Sequence, residues 1–244
     1  MGQVQADELR VRIMGGGVWL ATAISVASRL WLGGEVRVHR DRGLIRAMLT
    51  RVAACGPIAA VLLCTDGLMS YPRQAVRAFR QAVPTGRRGR PPLVLPRGVL
   101  IAQAIKQYAK RRVRAVERRI VRGSAAAVAA MLTTTQGSMT AVVNTAYIER
   151  LNATFRARLA PLVRRSRATV RRVATLEAGM WLVGTLYNFV TPHRSLDGRT
   201  PAQAAGLTDH RWTMHALLTF PVPLPPVKRR GRPPNWLREV PRAA

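Results

Sequence analysis

The chain has 244 residues, enough for one substantial hydrophobic core with extensions or for two small domains. Forty Lys and Arg stand against 11 Asp and Glu, a net charge of +29, so the expected partner is a polyanion, with nucleic acid first. The longest apolar runs, around 18–26 and 58–64, fall short of the ~20 residues that cross a bilayer, and no membrane partner is expected. Cys55 and Cys64 lie in separate apolar runs without metal-ligand spacing. That argues against zinc or a disulfide and for buried thiols in a reducing cytosol. Asp7 and Glu8 stand where a signal peptide would be basic and then apolar.

In chain order, residues 3–13 alternate apolar and polar at their ends and predict a strand that carries Asp7. Met14 and three glycines make a turn. Residues 18–28 and 29–38, rich in Val, Ile and Trp, predict two more strands and so an antiparallel meander. Residues 39–54 have helical spacing, with Leu44, Ile45, Met48, Leu49 and Val52 on one side. The unbroken apolar run 58–64 predicts a fully buried, parallel strand that stops at Thr65-Asp66-Gly67. A short helix is predicted over 72–83. Residues 84–98 break the pattern with Pro, Gly and Arg, and the basic stretch 99–122 leaves helix and strand both open. Residues 125–132 predict a helix, 133–138 a loop, and 144–162 and 172–190 two long helices. The proline-rich end predicts an extended or disordered tail.

Three carboxylates fall at telling places: Asp7 on the first strand, Asp66 directly after the buried strand, and Glu149 inside an otherwise basic helix. Ligands of α/β sheets collect beyond the carboxyl ends of the strands. Three carboxylates converging there repel one another unless a cation sits between them. Oxygen ligands suit magnesium or manganese, and two such ions ~3.5–4 Å apart can activate an attacking water and stabilise a leaving oxygen at a phosphodiester. Asn152 and Arg156 follow Glu149 on the same helix face. Plainer readings stand beside these. Asp66 also reads as a turn aspartate, Asp7 or Glu8 as a solvated strand charge, and Glu149 as an exposed residue pairing with an arginine. The order of the three is more specific than any member.

Two copies of Arg-Gly-Arg-Pro, with Arg88, Arg90, Arg230 and Arg232, resemble the core of an AT-hook, whose arginines enter narrow A·T minor grooves. They read equally as solvated basic linkers. The runs 111–122 and 164–172 read as generic phosphate contacts. Trp181, with Leu176, Met180 and Leu186, reads as helix core.

Four segments together resemble the DDE-type insertion-sequence transposases, which share an RNase H-like core with retroviral integrases. They are Asp7-Glu8-Leu9 with the strand pair after it; Cys64-Thr-Asp-Gly-Leu68 with Tyr71; the stretch 144–156; and Tyr187-Asn188-Phe189 with Pro192-His193, Leu196 and Arg199-Thr-Pro-Ala-Gln-Ala204. The resemblance covers about residues 5–215. It implies an α/β fold: an RNase H-like core with a mixed five-stranded sheet flanked by helices. It implies a transposase that cuts element ends and joins them to target DNA, with Asp7, Asp66 and Glu149 holding two Mg2+ or Mn2+ ions. Arg156 would touch DNA near the scissile phosphate, and Asn152 would orient DNA or a water behind the metal ligands. His193 would contact DNA or brace the preceding helix. A homodimer or higher oligomer on DNA and a cytoplasmic, nucleoid-associated location follow from the same resemblance.

Two departures shape the expected organisation. Glu149 follows Asp66 by 83 positions, longer than the compact integrase pattern, so 84–143 reads as a basic insertion before the last catalytic helix. The core would then comprise 1–83 and 144–212, with 213–244 as a Pro/Arg-rich extended tail. Such enzymes also carry an end-recognition domain, and little chain precedes Asp7. A truncated or split reading frame, or use of the chain's own basic segments, would account for that. The rival readings are an RNase H-like nuclease without strand transfer and a non-catalytic DNA- or RNA-binding remnant.

Overall fold

The computed structural model describes residues 2–86, 88–110, 112–163 and 169–221. Strands β1 (Gln3–Ile13), β2 (Gly16–Ser25) and β3 (Trp31–Arg37) form an antiparallel meander that sets Asp7 opposite Thr22. Helix α1 (Arg42–Ala54) starts at Asp41, whose carboxylate accepts from the Leu44 N–H at 2.8 Å. Strand β4 (Ala60–Thr65) then enters parallel to β1, and α2 (Ser70–Ala78) follows. A small ladder of β5 (Gln81–Ala82) with β6 (Leu93–Val94) closes the loop between them. Strand β7 (Gly98–Ala109) runs parallel to β4, and β8 (Arg112–Arg122) returns antiparallel to β7. Helices α3 (Ala125–Gln136), α4 (Ala146–Arg158), α5 (Val173–Phe189), α6 (Pro201–Ala204) and α7 (Met214–Leu218) complete the order.

The protein is therefore α/β, with a mixed sheet in the order β3-β2-β1-β4-β7-β8 flanked by helices. On one face, Leu44, Met48 and Leu49 of α1 and Tyr71 and Ala75 of α2 pack on Val4, Ala6, Leu63 and Ile101. On the other, Ile148 and Phe155 of α4 and Met180 of α5 cover Leu9, Leu20 and Ile24. Val128 and Leu132 of α3 cover Leu62 and Ala102 on that same side. Both faces of β4 are thus covered, which is why its sequence is an unbroken apolar run.

The sheet corrects two expectations. It has six strands where five were expected. Residues 84–143 are not an insertion set apart from the core, because 98–122 supply β7 and β8. Val99, Leu100, Ile101 and Ala102 are buried beside β4. The expected loop at 133–138 is also shorter, since α3 runs to Gln136. Thr134 and Thr135 bond back to the carbonyls of Ala130 and Met131, and Gly137 ends the helix at φ +68°.

The described residues up to Trp212 form one compact unit, and those from Thr213 on belong to a second. Within the second, α7 is a short helix whose first turn is capped by the Thr213 hydroxyl, accepting from the Ala216 N–H at 3.0 Å. Residues 213–221 are therefore not wholly extended. The rest of the expected tail, with Arg230 and Arg232, lies outside the described residues. Among the described residues, no helix is long and apolar enough to cross a membrane.

The segment from Tyr187 to Ala204 has an architectural role. The Asn188 amide accepts from the Trp31 N–H and donates to the Trp31 carbonyl, both at 2.9 Å, clamping α5 to the start of β3. A Cβ at Gly184 would stand 2.1 Å from the Trp31 ring, so only glycine lets α5 lie this close. Thr200 and Gln203 form a reciprocal capping box around α6.

Candidate active site

Asp7, Asp66 and Glu149 line one cleft of about 370 Å³ together with Thr145, Lys106 and Tyr108. Three elements deliver the carboxylates. Asp7 projects from β1 toward α4, because residues of one parity on that strand (Gln5, Asp7, Leu9) face the α4 side. Asp66 sits immediately past the end of β4, and Glu149 lies in the first turn of α4.

The period-two pattern of β1 also settles the roles of two adjacent acids. Glu8 points to the opposite face and is buried. It accepts from the Tyr71 hydroxyl at 2.6 Å and from the Arg40 Nε at 2.6 Å. Burial pushes its carboxyl above the usual range, against the lowering by the Tyr71 and Arg40 hydrogen bonds. Glu8 is thus a structural anchor under the site, and Asp7 is the acid that the cleft receives. Arg40 also reaches Asp66 Oδ2 at 3.6 Å.

Neighbouring groups hold each carboxylate in place. The Asn152 amide donates to Asp7 Oδ2 at 2.8 Å, and its oxygen accepts from the Thr22 hydroxyl at 3.1 Å. Asp66 Oδ1 accepts from the Leu68 N–H at 3.0 Å, so the plainer reading as a turn aspartate holds alongside its place in the cleft. Gln103 of β7 donates to the carbonyl of Asp66 at 2.9 Å and braces that turn. Glu149 Oε1 accepts from the Thr145 hydroxyl at 2.6 Å and pairs with Lys106.

Buried Gln5 also ties the strand to the helix. Thr145, at the start of α4, makes no capping bond from its side chain. Instead, Gln5 Oε1 accepts from the N–H groups of Tyr147 and Ile148 at 2.9 and 3.0 Å, and its amide donates to Asn144 Oδ1 at 3.1 Å. The residue two places before Asp7 therefore caps the helix that carries Glu149.

The acidic side chains of the cleft present carboxylate oxygens, the donor type that hard cations take. Burial, and next the charges of Glu8, Asp66 and Glu149, push Asp7 up to about 6. Negative charge is in excess around it. Among the described residues, no three His, Cys, Asp or Glu side chains are gathered closely enough to hold a metal ion. The three acids share a cleft without forming a closed ligand cage, and Lys106 and Arg40 supply the compensating charge.

The raised Asp7 value has a testable consequence for stability. The folded protein holds a proton there that the unfolded chain, at an ordinary value of 3.8, has released. This contribution is fully present below pH 3.8 and is lost as pH rises through about 6. Asp7→Asn should therefore stabilise the metal-free protein by roughly 1–3 kcal/mol at neutral pH, and the advantage should shrink toward pH 4. Urea titrations at several pH values without divalent metal check this; equal midpoints at pH 7.5 would contradict it.

The other expected DNA contacts divide. Asn152 is buried and spends its amide on Asp7 and Thr22. His193 packs its ring edge-on against Tyr187 at 4.6 Å, and its backbone closes the turn through Arg199, Leu196 and Gly198. Burial lowers its pKa, and Arg158, Arg150 and Arg29 lower it further. It sits in the turn that follows α5. Arg156 is half-buried, and among the described residues it makes no ion pair. Arg88 and Arg90 are exposed. Gly89 between them sits at φ +115°, so the chain turns where a minor-groove hook would be extended.

Sequence reasoning passed over Gln5, Glu8, Lys106 and Thr145 as parts of the site. Lys106 had a faint signal, as one of three lysines in the chain. Gln5 had none, since a lone glutamine in a strand announces nothing about the helix it caps. No model of a known protein family matches the chain, and no curated protein matches it.

Proposed function

We propose that this chain is a DNA transposase of the DDE type, built on an RNase H-like core, that cuts element ends and joins them to target DNA. The observation that carries this reading is the arrival of Asp7, Asp66 and Glu149 in one cleft from a strand, a strand end and a helix. The meander followed by parallel strands, with helices on both faces, supports the same fold reading. The net charge of +29 supports a nucleic-acid substrate.

Asp7, Asp66 and Glu149 are the residues that would hold magnesium or manganese. When bound, the ions would polarise the phosphodiester and favour a deprotonated nucleophile at neutral pH. The chain's own side chains provide the order. Asn152 fixes one oxygen of Asp7, the Leu68 N–H fixes one oxygen of Asp66, and Thr145 fixes Glu149. Gln5 and Gln103 hold the backbones from which these acids project. In the first step water attacks the phosphorus at the element end, and the 3′ oxygen leaves as a hydroxyl. In the second, that hydroxyl attacks a target phosphodiester and displaces a target 3′ oxygen. Each step forms one P–O bond and breaks one, so no covalent protein–DNA link is needed.

The test uses the wild-type chain and a labelled duplex carrying the flanking element ends, with Mg2+ or Mn2+ and with EDTA as control. Nicking followed by joining, both abolished by EDTA, is the expected result. Cutting without joining would make the chain a nuclease, and binding without cutting a DNA-binding protein.

A further inference from the structure

β4 stops at Thr65, opposite Gln103 of β7. From Ala104 onward, β7 pairs with β8 alone, Ala104 against Arg118 out to Ala109 against Arg112. A two-stranded ribbon about 20 Å long therefore runs past the strand end that carries Asp66. Its base is anchored: Val116 packs against the cluster under α3, and the Arg118 guanidinium donates to the Val143 carbonyl at 3.1 Å. Beyond that base, the described residues from Gln107 to Ala115 are all exposed.

The composition of the ribbon is one-sided. It carries Lys106, Lys110, Arg112, Arg114 and Arg118, with Glu117 as its one carboxylate. Glu117 is already paired with Arg119 at 2.9 Å. Tyr108 is 66% exposed, faces Val113 across the ribbon, and lines the carboxylate cleft with Lys106. A bare two-stranded ribbon is marginal in water, and a large aromatic ring left exposed on it is costly unless something covers it. A planar base with its phosphates supplies both missing contacts, a stacking face for the ring and negative charge for the arginines.

We propose that the β7–β8 ribbon is a DNA-binding arm. It lies along the strand that enters the cleft, with Tyr108 stacked on a base beside the phosphate held there and Lys110, Arg112 and Arg114 on the flanking backbone. The inference rests on the transposase reading for its substrate, and adds which part of the chain grips DNA.

The test is fluorescence anisotropy with a labelled mixed-sequence duplex of about 30 base pairs, without divalent metal, so that affinity is read apart from cleavage. Arg112→Gln/Arg114→Gln should weaken binding at least about tenfold and flatten the salt dependence by nearly two phosphate contacts. Arg73→Gln/Arg77→Gln, an equal loss of charge from exposed positions of α2, should change binding less than about threefold. Tyr108→Ala should weaken binding about tenfold, and Tyr108→Phe should restore it, because stacking needs the ring and not the hydroxyl. If wild type binds and the ribbon variants lose no more affinity than the α2 control, the arm is wrong while the transposase reading stands. If wild type binds no duplex, the transposase reading fails first.

Discussion

Replacing Glu149 with Gln is expected to reduce metal-dependent cleavage by about 10³-fold, roughly 4 kcal/mol of barrier, with little change in fold. The side chain is 46% exposed, so the swap leaves no buried cavity. An amide oxygen can still accept from the Thr145 hydroxyl, and the lost pair with Lys106 is a surface pair worth at most about 1 kcal/mol. What disappears is one of three anionic oxygen donors at the cleft. Single-turnover cleavage, with circular dichroism and DNA affinity in parallel, separates the two effects. Activity within tenfold of wild type would remove Glu149 from the site.

The second large effect is on stability and comes from a residue with no chemistry of its own. Gln5→Ala should destabilise the protein by about 2–4 kcal/mol, because it orphans the N–H groups of Tyr147 and Ile148 where α4 meets β1. Each buried donor left unpaired costs about 1–3 kcal/mol, and water entering the gap recovers part of it. Gln5→Met keeps the volume but has no acceptor, so it should lose nearly as much. Urea unfolding of both variants measures this. A loss under about 1 kcal/mol in both would mean that α4 is held by Ile148, Leu151 and Phe155 alone. Because Gln5 fixes α4 to β1, cleavage should fall in both variants even where they remain folded.

These two variants divide the site into what the sequence displays and what it hides. Glu149 is legible because a carboxylate in a basic, amphipathic helix is a local anomaly, and the order of Asp7, Asp66 and Glu149 along the chain adds to it. Gln5, Thr145 and Lys106 are not legible, because each matters only for what lies opposite it. Gln5 meets residues 147 and 148 across most of the chain. Lys106 meets Glu149 from a strand whose very identity the pattern left open.

By itself, the sequence determined the meander of β1–β3, the helical spacing of α1, the burial of β4, and the helices α4 and α5. Each of these buries a continuous face, and a continuous face imposes a period on the residues that form it. It also determined the strong positive charge and the three acids in order. Only the tertiary structure decided that 99–122 are strands. Residues 99–102 are buried beside β4, but β8 is exposed along nearly its whole length and so has no buried face to read. The same structure put Glu8 against Tyr71 and Arg40 and Asp7 at the cleft, since adjacent strand residues point to opposite faces and the pattern does not say which face holds the cleft. It decided, too, that Asn152 serves Asp7, because the helix face shared with Glu149 turns inward at that turn of α4. In each case the deciding contact joins residues far apart in the chain, and a local pattern carries no record of such a contact.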